Sequence, residues 1–176
     1  MGQLHQMQIV FVPEQDRLLF RLNTTGRQQQ EFRFWLTRRY VRILWKALLN
    51  MLKAQDPNEP EQQQFTQEPT KSAVLHLEHK EATAQADFQT PYQEANIYPL
   101  GEEPILVSKV GLKKNNTGGQ QLSMHPTNGQ GIDFNLDRKV LHSFCRLLAD
   151  AAEKAEWDLN LDFSQAEELI DNQGLN

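Results

Sequence analysis

The sequence contains one cysteine, Cys145, among 176 residues. A single thiol excludes an intrachain disulfide. The first residues also lack the basic region and the apolar run of a signal peptide, so we expect a cytoplasmic location. Cys145 lies on the apolar side of a predicted helix, where a small buried hydrophobic residue is typical and a reactive thiol is not expected.

Long hydrophobic runs are missing as well. Arg42, Lys46 and Lys53 interrupt the most apolar stretch of the chain, whereas a segment that crosses a bilayer needs roughly 18–20 apolar residues. We therefore expect no membrane partner. Hydrophobic residues make up 39% of the chain and charged residues 23%, a balance that is typical of a globular protein with a core.

Catalytic and cofactor motifs are not found either. The sequence has no glycine-rich phosphate loop and no nucleophile elbow. His76 and His79 are close in sequence, and an i, i+3 pair on a helix can chelate a metal. The zinc-protease motif spaces its histidines four apart, however, so we interpret this pair as exposed polar residues. We predict no metal and no cofactor, and we favour binding over catalysis, although catalytic residues can converge from distant loops.

The charges that are present divide unevenly along the chain. The net charge is −5, but residues 1–54 hold nine Lys and Arg against three acids, and residues 55–103 hold two against ten. Positive charge is therefore concentrated at the start of the chain. The segment 55–70 is rich in Pro, Gln and Glu, which is typical of a solvated linker.

Three strands and a helix are predicted near the start of the chain. Apolar alternation indicates strands at 8–12, 17–22 and 32–36. Thr37 can cap a helix that ends before Pro57.

The same order returns a hundred residues later. Strands are expected at 105–107, 121–124 and 132–136, and Asp137 can cap a second helix. At an offset of 100, the core, cap and basic positions of the two segments coincide, which predicts a tandem repeat. The matched positions include Phe32 with Ile132, Phe34 with Phe134, Leu36 with Leu136, Thr37 with Asp137, Arg39 with Lys139 and Leu48 with Leu148.

We therefore predict an α+β fold. Two antiparallel β-β-β-(β)-α units, at 1–54 and 104–156, are expected to pack as a pseudo-dimer with the sheets on one side and the helices paired. An acidic segment, 55–103, joins the units, and an acidic tail with a short helix, 157–176, follows them. Within the joining segment, residues 71–88 are compatible with either a strand or a helix.

One constellation in the first unit indicates a binding surface. If Phe32, Phe34 and Leu36 face the helix, Arg33 and Trp35 point to the opposite side of the sheet. Arginines on the preceding strand alternate onto that side, and the helix adds a basic stripe at spacings of three, four and seven. Arginines neutralise phosphates and an aromatic ring stacks on an unpaired base, so this surface predicts single-stranded DNA or RNA as a partner. The candidate residues are Arg17, Arg21, Arg33, Trp35, Arg39, Arg42 and Lys46.

The alternative interpretation of this surface is the solvated side of a half-buried sheet and of an amphipathic helix. The second unit differs at the matching positions, with Asp133 in place of Arg33 and Asn135 in place of Trp35. An anionic ligand is therefore expected to bind the two units unequally.

Two β-rich units that each close with a helix, at 5–54 and 104–156, resemble the architecture of the Whirly- and PUR-type single-strand nucleic-acid-binding proteins. The resemblance implies that the sheets meet the nucleic acid. It also implies four strands per unit, where three are predicted here, so the fourth strand is expected at 73–77 or 157–163.

A protein-interaction or scaffold module is the second functional hypothesis. The first predicted helix has an unusually wide apolar arc, which must be covered by the second helix, by another protein or by another copy of the chain. The arc comprises Tyr40, Val41, Leu44, Trp45, Leu48, Met51 and Leu52.

Overall fold

The computed structural model describes residues 3–26, 28–53, 68–114 and 120–163, and it shows an α+β protein. Within these residues, apolar alternation produces two sheets and helical periodicity produces three helices. In chain order the elements are β1 Leu4–Val12, β2 Arg17–Thr24, β3 Glu31–Leu36, α1 Arg38–Lys53, α2 Glu68–Gln85, β4 Ile105–Leu106, β5 Lys109–Lys114, β6 Gln120–His125, β7 Ile132–Asn135 and α3 Arg138–Lys154.

The strands form a four-stranded sheet, in the order β1-β2-β3-β4, and a three-stranded sheet, in the order β5-β6-β7. All pairs are antiparallel except β3 and β4. A 3-10 turn at Pro13–Gln15 joins β1 to β2. Gly131 allows the chain to pass close to β6, since a Cβ atom there would lie 2.0 Å from the carbonyl oxygen of Met124.

The predicted inward faces are confirmed. Leu18, Phe20 and Leu22 of β2 are fully buried, and β3 alternates in the same way. The ring of Phe20 stacks on Phe144 of α3 with centroids 4.9 Å apart. Because the halves share this contact, the buried side chains of both belong to one hydrophobic core.

Both helix caps are also confirmed. The amide of Tyr40 donates to Oγ1 of Thr37 at 3.2 Å, and the amide of Val140 donates to Oδ1 of Asp137 at 2.8 Å. Each cap satisfies one amide of the first helical turn that has no partner within the helix. The two helices therefore begin one residue after the predicted cap in each half.

The assignment of 105–107 to the second unit is wrong. Ile105 pairs with Phe34 and Leu106 with Trp35, so β4 extends the first sheet, parallel to β3. The long connection from α1 makes this pairing accessible, because parallel strands need a crossover of a dozen or more residues. The second sheet starts instead at β5.

Neither segment proposed for a fourth strand forms one. Residues 73–77 lie inside α2, which resolves the ambiguity over 71–88 in favour of a helix as far as Gln85. Residues 157–163 alternate in hydrophobicity but contain no strand, because the left-handed backbone at Asp158 and Asn160 (φ 52° and 45°) breaks the extended conformation. Trp157 and Phe163 are nevertheless buried in the core.

The predicted linker, 55–70, lies outside the described residues except for its last three, which begin α2. The short helix predicted in the tail also lies outside them. None of the described helices is long and apolar enough to span a membrane.

Candidate nucleic-acid interface

The strand register arranges the outward side chains of the first sheet in rows. Arg21 of β2 is opposite Gln8 of β1 and Arg33 of β3. Two residues along, Leu19 is opposite Trp35, and Arg17 lies beyond them at the end of β2. The sheet therefore brings together the four candidate residues that the sequence places on it.

A connecting segment, 86–104, covers one end of this face. The amide of Ala95 donates to Oε2 of Glu31 at 3.0 Å, and the amide of Glu31 donates to the carbonyl oxygen of Ile97 at 2.8 Å. The side-chain amide of Asn23 donates to the carbonyl oxygen of Gln93 at 2.7 Å. We call this covered end, which holds Asn23, Arg21, Glu31 and Arg33, the closed end of the sheet.

Arg21 is neutralised at the closed end. Its guanidinium forms an ion pair with Glu94 at 2.5 Å, donates to Oε1 of Gln8, and lies 4.8 Å from the centroid of the Tyr92 ring. Burial raises the pKa of the Tyr92 hydroxyl, so this ring stays neutral. The side chain of Arg21 is 18% exposed, which leaves little of its charge for a phosphate.

Arg33 is held in the same way. Its Nε donates to Oε1 of the fully buried Glu31 at 2.6 Å, and Nη2 donates to the Tyr98 hydroxyl at 3.1 Å. The guanidinium also lies 4.5 Å from the centroid of the Tyr98 ring. Arg33 therefore compensates a buried carboxylate, as buried charges require.

The other end of the face is open. Arg17 and Trp35 are half-exposed, and neither side chain has a hydrogen-bond, ion-pair or ring partner among the described residues. In the same row, Leu106 is opposite Trp35 and Val10 is opposite Leu19, and these two residues are 44% and 41% exposed. We call Arg17, Leu19 and Trp35 the open end.

The helix after β3 presents an exposed basic stripe. Helix α1 contains five Lys and Arg residues and no acid. The basic stripe is defined here as four of its exposed cations, none of which has a hydrogen-bond or ion-pair partner in the described parts of the chain. These residues are Arg38, Arg39, Arg42 and Lys46.

The stripe and the open end adjoin where β3 passes into α1. Trp35 and Arg38 are three residues apart, so their Cα atoms are separated by at most about 11 Å. The half-exposed ring of Trp35 is therefore close along the chain to Arg38, the first cation of the stripe.

Sequence reasoning missed the cover over the closed end. Alternation along a strand identifies which side chains face outward, but it does not identify what lies over them. The available signal was the mixture of aromatic and acidic residues just before β4, because these groups complement arginine. They are Tyr92, Glu94, Tyr98, Glu102 and Glu103.

The second sheet differs at the matching positions. Asp133 accepts from Nε2 of His125 at 2.8 Å, and Lys109 and Lys113 lie on the same outward side of β5. This face therefore carries both signs of charge and has no exposed aromatic ring among the described residues.

The histidine pair considered for metal binding is not brought together. His76 is exposed, whereas His79 turns toward His142 of α3. In the described ranges, no group of three or more His, Cys, Asp or Glu side chains is arranged to hold a metal ion.

Comparison of the chain with known protein families, with curated proteins and with solved structures finds no match.

Proposed function

We propose that this protein is a non-enzymatic single-stranded nucleic-acid-binding protein. Its binding surface consists of the open end of the first sheet, with Arg17 and Trp35, and the basic stripe of α1. Arg21 and Arg33 belong to the original set of candidates, but in this proposal they support the sheet and do not contact the ligand, because Glu94 and Glu31 already neutralise them.

The observation that carries the proposal is the basic stripe. A chain with net charge −5 concentrates five cations and no acid on a 16-residue helix. Unpaired Arg and Lys side chains attract polyanions and release counterions when they bind phosphate.

The preference for single strands depends on Trp35. An aromatic ring can stack on a base only where that base is unpaired, and stacking on each base contributes about 1–3 kcal/mol. The half-exposed ring of Trp35 and the neighbouring cations of the stripe supply both elements of such a site.

We also infer that the two halves are diverged copies of one unit that pack as a pseudo-dimer. The order of three strands and a helix in each half supports this, and the capping residues Thr37 and Asp137 lie 100 residues apart. Helix α1 contacts β5, the first strand of the second sheet, and α3 contacts β1, the first strand of the first sheet. Such reciprocal contacts are those expected across a two-fold axis.

The protein-interaction hypothesis loses its main support. The wide apolar arc of α1 is buried within the chain, with Leu44 and Leu48 fully covered and Trp45 only 3% exposed. No second copy or partner is needed to cover that arc.

Fluorescence anisotropy with a labelled oligothymidylate of about 20 nucleotides, at about 50 mM salt, tests the proposal. We expect the single strand to bind more tightly than a duplex of the same length. Arg42→Glu is expected to weaken binding at least tenfold. Absence of binding to the single-stranded probe and to its ribonucleotide counterpart would overturn the proposal.

Lys154→Glu provides the matched control. It makes the same change of charge at an exposed position near the end of α3, away from the stripe. If Lys154→Glu weakens binding as much as Arg42→Glu does, the attraction arises from net charge and the proposed surface is wrong.

A further inference from the structure

The first sheet has a long free edge. Strand β1 is the terminal strand in the order β1-β2-β3-β4, and no backbone group of another described element pairs with Leu4–Val12 on the side away from β2. Its nine residues include no Lys, Arg, Asp, Glu or Pro. Natural proteins usually protect an exposed edge with charges, prolines or a covering element, because its unpaired N–H and C=O groups template another strand.

A groove runs along the first half of this edge. It has a volume of about 460 Å³ and lies between β1, helix α3 and residues 86–92. Residues from both faces of β1 line the groove. Gln6 and Gln8 belong to the outer face and Met7 to the inner face, so the groove follows the edge of the strand.

The walls of the groove are partly apolar. Val140 and Leu147 of α3 are half-buried and stand seven residues apart on one side of that helix. Phe88, from the segment 86–92, is 39% exposed, and the guanidinium of Arg146 of α3 lies 5.4 Å from its ring centroid. Such walls accept alternate apolar side chains of an extended chain.

Two charged side chains, Asp87 and Lys139, line the groove. Asp87 is satisfied locally, since its carboxylate accepts from the amides of Gln89 and Thr90 at 2.9 and 3.0 Å. The ammonium of Lys139, at the start of α3, has no ion-pair or hydrogen-bond partner in the described part of the chain. The groove therefore complements an acidic residue at this point.

We propose that an extended, acidic peptide segment of a partner protein binds in this groove as a fifth strand of the first sheet. A free strand edge is specific for an extended polypeptide, which alone presents backbone donors and acceptors at the strand spacing. Five residues paired with Leu4–Gln8 span roughly 16 Å. One apolar side chain of the peptide lies between Val140 and Leu147, and one carboxylate meets Lys139.

The probe for this proposal comes from selection of a phage-displayed random dodecapeptide library on the full chain, followed by fluorescein labelling of the enriched peptide. We expect an alternating apolar sequence with at least one Asp or Glu. Lys139→Glu is expected to weaken binding of the peptide at least tenfold. Replacing the acidic residue of the peptide with Lys is expected to restore binding to that variant. Lys154→Glu, at the exposed end of the same helix and away from the groove, is the control and is expected to have no effect.

Amide hydrogen exchange gives a measurement that needs no variant. Amides of Leu4–Gln8 that point away from β2 are expected to become protected when the peptide binds. Failure to enrich any peptide, or binding that leaves β1 exchange unchanged, would overturn the proposal. A concentration-dependent dimer that Lys139→Glu dissociates, seen by sedimentation in the absence of peptide, would show that a second copy occupies the edge, which would also overturn it.

Discussion

Nδ1 of His79 on α2 and Nδ1 of His142 on α3 lie 3.2 Å apart, which is within hydrogen-bond distance. His142 is 1% exposed, and its Nε2 lies 3.3 Å from Oε1 of Glu78. Glu78 in turn pairs with Arg138. These contacts attach α2 to the rest of the protein, and few of its side chains between 73 and 85 are buried.

Acidification is expected to weaken this attachment. Burial, together with His142, lowers the pKa of His79 from 6.5 to about 4, and burial also lowers the pKa of His142. A histidine with a lowered pKa in the folded state opposes folding once the unfolded form begins to protonate, so stability falls as the pH drops below 6.5 toward 4. The other charged groups that act on the pair are His76, Arg146, Asp150, Glu78 and Arg138.

Urea unfolding at pH 7 and pH 4.5 measures this effect. The wild-type chain is expected to lose more stability than His79→Gln between these pH values, by about 1 kcal/mol after allowance for the partial exposure of His79. Equal pH dependence of the two proteins would contradict a role for this pair.

Arg33→Ala is expected to reduce stability and to affect nucleic-acid binding only through that loss. The substitution leaves the carboxylate of Glu31, which is fully buried, without its ion-pair partner at 2.6 Å. Breaking a buried pair from one side costs about 3–5 kcal/mol. The free energy of unfolding measures this loss of stability. The double variant Arg33→Met/Glu31→Gln removes both charges and is expected to lose less stability than Arg33→Ala. A loss below about 1 kcal/mol for Arg33→Ala would mean that Glu31 reaches solvent.

Leu48→Ala and Leu148→Ala are each expected to cost about 2–5 kcal/mol, because both side chains are fully buried and truncation leaves a cavity. Ile43→Ala on the same helix as Leu48 is the control, since Ile43 is 42% exposed. Chemical denaturation in which the three variants lose similar stability would show that the helices do not form the centre of the core.

The thiol of Cys145 is expected to be inert in the folded protein. The side chain is fully buried, and burial raises the pKa of Cys145 to about 12. A thiol reagent added at pH 8 should modify it slowly under native conditions and completely in denaturant, since the thiolate is the reactive form. Rapid modification of the native chain would place this residue on the surface.

Salt dependence is expected to separate the contributions within the nucleic-acid interface. Trp35→Ala should weaken single-strand binding by about 1–3 kcal/mol at every salt concentration, because stacking involves no counterion release. Arg42→Ala should weaken binding and, unlike Trp35→Ala, should flatten the slope of log affinity against log salt by about one. Arg21→Ala should leave the slope unchanged, because Glu94 already compensates that charge. A slope that responds to Arg21 and not to Arg42 would assign binding to the closed end of the sheet.

Local patterns in the sequence determined the faces and the ends of the elements. The period of two along β2 and β3 placed Leu18, Phe20 and Phe34 inside and Arg21 outside, as the structure has them. Side-chain caps depend on neighbours three residues away, so Thr37 and Asp137 could be identified without the fold. Residues 32–52 and 132–152 each form a strand followed by a helix, and this common order was predicted from the same local patterns.

The tertiary structure decided what covers each face. Arg21 meets Glu94 across 73 residues, Arg33 meets Tyr98 across 65, and His79 meets His142 across 63. No local period encodes such contacts, because they depend on how α2 packs against α3 and on how residues 86–104 pack over the first sheet. Of the candidate residues on the first sheet, Arg21 and Arg33 are paired with acids, and Arg17 and Trp35 remain at the open end.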